Sequence, residues 1–334
     1  MNLAILGNGG FGIAMALVSH RAGHQVRVLG HDPEYTATIA RTRRNPRYLP
    51  ESAVIPDPVV VTADPAEALA GCEGVLVAVP TQHLREVLTQ VRDRLPAGVP
   101  LVSLAKGLEQ ATGQRPSEIL AETAGPEHPV LALSGPSHAE ELAAGLPAAV
   151  VVAGAAGSGA TALQAALGSA QLRVYRQHDL LGVELCGAVK NVMAIAAGVA
   201  DGLGYGDNAK AAILARGVVE MARYGVAEGA ESRTFFGMAG VGDLAVTAFS
   251  RHGRNRAFGE RVGRGESLEQ ILASTHKVAE GVWTSRVVRD RAQRLSVEMP
   301  ITDAVCAVLF EGLAPERAVR ALMERDLKEE SFEG

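Results

Sequence analysis

The chain opens Met1-Asn2-Leu3-Ala4-Ile5-Leu6-Gly7-Asn8-Gly9-Gly10-Phe11-Gly12-Ile13-Ala14-Met15-Ala16, and this stretch decides the fold. Leu3–Leu6 is a continuous apolar run, as expected of a strand covered on both faces. Gly7–Gly12 spell G-x-G-x-x-G, and an Ala-rich helical pattern follows to Ala22. Gly23-His24 then turns into a second strand, Gln25–Leu29. A lone glycine pattern is a weak signal. Between a first strand and a helix, inside a strand–helix–strand unit, it has the context of a dinucleotide fingerprint. Gly7, Gly9 and Gly12 then serve the tight turn, the approach of a pyrophosphate, and close helix–strand packing. The helix start offers free N–H groups and partial positive charge to the phosphates.

Further apolar runs follow at Val59–Val61, Val75–Val79, Pro100–Leu104, Val130–Leu133 and Val150–Val152, with helix-length stretches such as Gln82–Leu95 between them. Alternation of strand and helix predicts an α/β fold with a parallel, doubly wound, Rossmann-like sheet. After about Tyr175 the strand signal fades. Leu181–Val199, Asn208–Tyr224, Val282–Arg294 and Thr302–Leu309 read as helices. The sequence therefore predicts a nucleotide-binding domain over 1–180 and an all-α substrate domain over 181–334.

Composition excludes several classes. The chain has 334 residues, enough for about two domains, and a formal charge of −5. That balance argues against nucleic acid as a partner, and 4% aromatic residues argue against stacking on single strands. The 37 glycines among 334 residues, about 11% against a usual ~7%, have no collagen-like period. Cys72, Cys186 and Cys306 lie far apart with no C-x-x-C, so neither a disulfide framework nor a structural zinc site is expected. Leu142–Leu172 carries no charge and is long enough to span a bilayer. Its proline, glycines and polar residues make strand–turn–helix the better reading. The expectation is a soluble, reducing-compartment, cytoplasmic protein with no membrane insertion and no metal.

Four places carry candidate chemistry. The second strand ends Leu29-Gly30-His31-Asp32. The absent side chain at Gly30 leaves room for a 2′-phosphate, and His31 is placed to contact it. Asp32 either faces a ribose or caps the next helix before Pro33. The reading favours NADP, with NAD also accepted. Lys190 is the one charge between Leu185 and Ala200, on a helix apolar nearly all round. Burial would disfavour its charged form and bring it toward neutrality, which suits a general acid–base group. Lys106 and Ser134-Gly135-Pro136-Ser137 follow apolar runs, hence the carboxyl edge of the sheet, where open α/β sheets bind ligands. Ser137 is also suited to cap a helix. Gly240-Val241-Gly242-Asp243 sets one acid in a glycine-rich turn, and Arg254-Asn255-Arg256 suits a phosphate-sized anion.

Taken together the chain resembles the bacterial-type NAD(P)-dependent glycerol-3-phosphate dehydrogenases. The likeness runs through Asn45-Pro46-Arg47-Tyr48-Leu49-Pro50, Ala105-Lys106-Gly107-Leu108-Glu109, Ser134–Ser137, Gly182-Val183-Glu184-Leu185 and Ala188-Val189-Lys190-Asn191-Val192. It continues with Asp201-Gly202-Leu203-Gly204, Asp207-Asn208-Ala209, Gly242-Asp243-Leu244, Arg254-Asn255-Arg256, Val278-Ala279-Glu280-Gly281 and Val297-Glu298-Met299-Pro300. The resemblance implies reversible reduction of dihydroxyacetone phosphate to sn-glycerol 3-phosphate, supplying glycerophospholipid synthesis, by a homodimer. It implies that Lys190 exchanges the proton, and that Lys106, Gly135, Ser137, Asp243, Arg254 and Asn255 contact substrate. Gly7, Gly9, Gly10, Phe11, Gly12, His31, Lys106, Ala139, Arg254, Val278 and Glu280 fall at cofactor positions. Three residues depart from the pattern: Gly10 and Gly253 replace serines, and Cys186 replaces a glycine.

Two other readings compete. A dehydrogenase of a 3-hydroxyacid or sugar acid would have no use for Arg254-Asn255. A non-catalytic NAD(P) sensor would have no use for a buried Lys190.

Overall fold

The computed structural model describes residues 1–250, 253–274, 279–326 and 329–330. They form two compact units, one of residues 1–106 and 114–180, the other of 107–113 and 181–334. The short segment Gly107–Gly113 thus belongs with the second unit, and neither unit is one unbroken stretch.

The first unit is built on eight strands: β1 (Asn2–Leu6), β2 (Gln25–Leu29), β3 (Val60–Thr62), β4 (Gly74–Val77), β5 (Leu101–Ser103), β6 (Val130–Ser134), β7 (Ala148–Ala153) and β8 (Leu172–Gln177). Between them run α1 (Gly10–Arg21), α2 (Pro33–Thr42), α3 (Pro65–Leu69), α4 (Leu84–Val91), α5 (Pro116–Ala124), α6 (Ala139–Ala144) and α7 (Ala160–Leu167). The sheet order is β3-β2-β1-β4-β5-β6-β7-β8. β1 pairs in parallel with both β2 and β4, Ile5 lying level with Val28 and Leu76. Strand order therefore reverses beside β1, the switch point at which such sheets bind ligands.

Alternation along the strands explains why both faces are covered. Leu3 and Ile5 join one apolar cluster with Ile13, Leu17 and Leu76. Ala4 and Leu6 join another with Val75, Val77 and Leu101. Successive strand residues point to opposite faces, so a continuous apolar run feeds two cores at once.

One pair departs from the all-parallel expectation: β6 and β7 are antiparallel, Leu133 opposite Val152. After β6 the chain makes only the short α6 and reverses at Gly145, in the left-handed region at φ 75°. It returns alongside β6 instead of crossing over. The uncharged stretch 142–172 is strand–turn–helix, β7 followed by α7.

The second unit is helical: α8 (Leu180–Gly202), α9 (Asp207–Ala227), α10 (Ser232–Phe235), α11 (Asp243–Phe249), α12 (Arg254–Gly263), α13 (Leu268–Ser274), α14 (Glu280–Arg294), α15 (Pro300–Phe310) and α16 (Pro315–Met323). A π-helical turn over Met238–Gly242 leads into α11. α8 is long and apolar enough to cross a membrane, yet it is mostly buried inside the protein, as a core helix is. It meets α12 backbone to backbone. A Cβ on Gly198 would fall 2.0 Å from the Arg256 carbonyl oxygen, and one on Gly259 2.1 Å from that of Ile195.

A buried carboxyl ties α9 to α15. Glu220 accepts from the Ile301 and Thr302 amides at 2.8 and 2.9 Å and from the Thr302 hydroxyl at 2.8 Å. Burial nevertheless dominates and pushes this carboxyl up to about 7. A folded-state value above the ordinary 4.5 means that ionisation opposes folding. Glu220 therefore lowers stability progressively as pH rises from about 4.5 to 7, by about 3 kcal/mol in all. Glu220→Gln does not titrate. Its melting temperature, whatever its offset, is expected to fall less over that range than that of the parent chain. Parallel pH profiles for the two proteins would show that Glu220 does not titrate there.

Candidate active site

The glycine turn follows β1 at the switch point. Gly7 sits at φ 107°, a region L side chains avoid. A Cβ on Gly12 would lie 1.9 Å from the Gly7 carbonyl oxygen, so helix and strand touch there. Gly9 is different: a Cβ on it would meet nothing within 4 Å. It is the N-cap of α1, with no side chain closing the helix end. The turn is thus closed on its inner side by Gly7 and Gly12 and open at Gly9. A pyrophosphate fits such a cradle, with the first α1 amides free of intrahelical partners. Gly10 faces Tyr48 and Ala139, a Cβ there falling 3.2 Å from the Tyr48 Cβ. The missing serine at this position coincides with close approach of the Tyr48 segment. Phe11 and Ala139 are partly buried against the adjoining apolar cluster.

At the end of β2 the structure corrects one expectation. Gly30 does not open space for a 2′-phosphate. A Cβ on it would fall 2.0 Å from the Thr36 hydroxyl and 2.3 Å from Asn8 Nδ2, so the room is taken by the protein itself. Asp32 resolves to the helix cap: it accepts from the Tyr35 amide at 3.0 Å. That bond, with Arg47 nearby, holds its carboxyl below the usual carboxylate range. His31 is exposed beside it.

At the ends of β5 and β6, Lys106 and Ser137 converge on one atom. The Gly135 carbonyl oxygen accepts from Lys106 Nζ at 3.0 Å and from Ser137 Oγ at 2.8 Å. Gly135 lies at φ 126°, which turns its carbonyl out of the strand direction. The residue that caps α6 is His138; the Ser137 hydroxyl serves Gly135 instead.

In the second unit Lys190 is buried, as its apolar helix implied, with a side-chain exposure of 6%. The structure adds what the helix alone does not carry. Nζ lies 2.7 Å from Asp243 Oδ1 and donates to the Thr247 hydroxyl at 2.7 Å. Thr247 in turn donates to the Asp243 carbonyl oxygen at 2.6 Å. A carboxylate at this distance favours the ammonium form. The carboxylate set against Nζ thus opposes the effect of burial on its charge. Thr247 was missed in the sequence. Its signal is the spacing from Asp243, one helical turn along α11, which puts both on one side of the helix.

The first turn of α12 is fixed on two sides. Asn255 Oδ1 accepts from the Gly281 amide at 3.1 Å, next to Glu280 at the start of α14. Arg256 pairs with Asp201 at 3.1 Å and with Glu260 at 2.8 Å. Arg254, between Gly253 and Asn255, is exposed. A Cβ on Gly253 would lie 2.7 Å from the Thr247 carbonyl oxygen, so the missing serine accompanies a close backbone approach. Cys186 is buried, its Sγ 3.9 Å from the Thr234 carbonyl oxygen. Val278 lies outside the described residues.

Comparison with known proteins bears directly on this arrangement. Residues 2–160 match the family profile of the NAD-dependent glycerol-3-phosphate dehydrogenase N-terminus, and residues 179–320 that of the C-terminus. The chain belongs to this dehydrogenase family. It is 44% identical to "Glycerol-3-phosphate dehydrogenase [NAD(P)+]" of Chlorobium limicola, over 99% of this chain and 100% of that one. The protein of the same name from Geobacillus kaustophilus is 45% identical, over 98% and 96%. A crystal structure of glycerol-3-phosphate dehydrogenase from Coxiella burnetii superposes with a TM-score of 0.91 at 36% identity, covering 97% of this chain and 99% of that chain. For a dehydrogenase of this family the described residues supply two sets of groups. A glycine cradle, Lys106 and Ser137 lie in one unit, and a buried lysine–aspartate pair lies in the other.

Proposed function

We propose that this chain reduces dihydroxyacetone phosphate to sn-glycerol 3-phosphate with NADPH, accepting NADH less well, and that the reaction is reversible. In this reading the first unit is the NAD(P)-binding domain and the second the helical substrate-binding domain. The protein works as a cytoplasmic homodimer that supplies glycerophospholipid synthesis. The observation that carries the reading is the buried Lys190–Asp243 pair, 2.7 Å apart, within the family framework.

NAD(P)H, when bound, supplies the hydride to C2 of the substrate. Lys190 donates a proton from Nζ to the C2 oxygen as negative charge builds there. Asp243 keeps Nζ protonated beforehand, and Thr247 sets its direction through the hydroxyl bond. Arg254 binds the substrate phosphate, aided by Asn255, while Lys106, Gly135 and Ser137 orient the substrate. Gly7, Gly9, Gly10, Phe11, Gly12, His31, Ala139, Val278 and Glu280 serve the cofactor.

One assay tests the proposal: oxidation of NADPH with dihydroxyacetone phosphate against unphosphorylated dihydroxyacetone. The phosphorylated substrate is expected to be strongly preferred. Arg254→Ala is expected to raise its KM about 10- to 150-fold, the worth of ~1.5–3 kcal/mol for a charged hydrogen bond. An equal rate with both substrates would overturn the reading, and an unchanged KM would remove Arg254 from the phosphate site. KM for NADPH should lie below that for NADH; a preference for NADH of about tenfold (~1.4 kcal/mol) would reverse the cofactor order.

A further inference from the structure

We infer that Arg47 is the residue that reads the 2′ position of the cofactor's adenosine ribose, and that it accepts the 2′-phosphate of NADP in exchange for Asp32. The inference rests on the NAD(P) reading above and deepens it.

Asp32 stands about 20 residues beyond the glycine turn, where nucleotide-binding sheets place the acid that takes the ribose hydroxyls, an arginine nearby serving the 2′-phosphate instead. In this chain one carboxylate oxygen of Asp32 is occupied by the Tyr35 amide. The other lies 3.6 Å from Arg47 Nη1. The guanidinium is stacked on the Tyr35 ring, 3.8 Å from its centroid, yet the side chain remains 59% exposed. A planar cation held by its face on a ring keeps its N–H edges for an incoming anion.

The stack is anchored to the glycine turn. Tyr35 is buried, and its hydroxyl donates to Asn45 Oδ1 at 2.5 Å and accepts from the Arg47 amide at 3.2 Å. Asn45 Nδ2 donates to the Asn8 carbonyl oxygen at 2.8 Å, and Asn8 Nδ2 donates to the Thr36 hydroxyl at 3.0 Å. The loop bearing Arg47 is therefore set in place by the same residues that shape the cofactor turn. An exposed ion pair such as Arg47–Asp32 contributes little. Replacing its carboxylate by a phosphate dianion forfeits little and gains a charge-assisted, two-pronged contact. With the space at Gly30 filled by Thr36 and Asn8, tolerance of the 2′-phosphate comes from this cation and not from a vacancy.

The test uses two probes that need no substrate, adenosine 2′,5′-bisphosphate and adenosine 5′-monophosphate, titrated calorimetrically into the full chain. Arg47→Ala is expected to weaken the bisphosphate about tenfold or more and to leave the monophosphate within about twofold. Arg47→Lys should restore part of the loss, since charge returns without the fork. Asp32→Asn should not weaken the bisphosphate. Equal losses for both probes would mean that Arg47 only holds the loop or stacks on the base, and no loss would assign the phosphate elsewhere, His31 included; either result overturns the inference. Failure of the proposed reaction is seen separately, as absence of turnover with dihydroxyacetone phosphate while the nucleotide selectivity persists.

Discussion

Lys190→Met is expected to fold and to bind NADPH, with kcat for dihydroxyacetone phosphate lowered by about 10²–10⁴-fold, the usual worth of a positioned acid. The reason is local. Nζ is bonded to Asp243 Oδ1 and Thr247 Oγ1, both at 2.7 Å, so in the proposed reaction its proton would come from a fixed, buried place. Methionine fills the same volume but carries no proton. It also removes the ammonium paired with the buried Asp243, a loss expected to cost about 3–5 kcal/mol of stability. The double variant Lys190→Met with Asp243→Leu removes both charges and is expected to regain most of that stability while kcat stays low. Measuring kcat and unfolding midpoint on all three proteins separates the chemistry from the fold. A folded Lys190→Met with near-parental kcat would take Lys190 out of the proton step.

Asp243→Asn is expected to act mainly through Lys190. The amide occupies nearly the same space but carries no charge, so a lysine with a side-chain exposure of 6% loses a carboxylate that opposes the effect of burial. Its ammonium form is then disfavoured and its pKa is expected to fall, by one unit for roughly every 1.4 kcal/mol of attraction lost. The sign for the reaction follows. In the proposed reaction Nζ must be protonated, so the alkaline limb of the kcat profile is expected to move to lower pH and the rate at neutral pH and above to drop. Stability should fall as well, within the ~3–5 kcal/mol expected when one partner of a buried pair is lost. A variant that loses stability while its pH profile stays in place would make Asp243 a structural partner alone.

Much of the fold, and the burial of Lys190, is legible because it is written in short-range patterns. The turn Gly7–Gly12 between a strand and a helix has few other uses, and the geometry gives each of its three framework glycines a distinct reason. A lone lysine on an apolar helix could be read as buried, and it is. Other features escape the sequence for a physical reason common to all. Gly30 looked like room for a phosphate, and only the packing of Thr36 and Asn8 shows the room to be filled. Ser137 suits a ligand contact or a helix cap alike, and only the structure shows its hydroxyl turned to Gly135, whose carbonyl is presented by a positive φ. The reversal between β6 and β7 leaves no mark in apolar runs, because parallel and antiparallel strands covered on both faces read alike.

By its own periodicity and spacing the sequence determined a doubly wound sheet, a helical second half, a nucleotide turn after the first strand, and a buried lysine on a core helix. These follow from interactions among neighbours along the chain: strand alternation, helical repeat, and the backbone freedom of glycine. Tertiary structure decided which groups meet. It set Asp243 and Thr247 beside Lys190, gathered Lys106 and Ser137 on one carbonyl, and stacked Arg47 on Tyr35 next to Asp32. Each of these meetings joins separate elements, and Coulomb and hydrogen-bond energies depend on distance in space, which spacing along the chain does not encode.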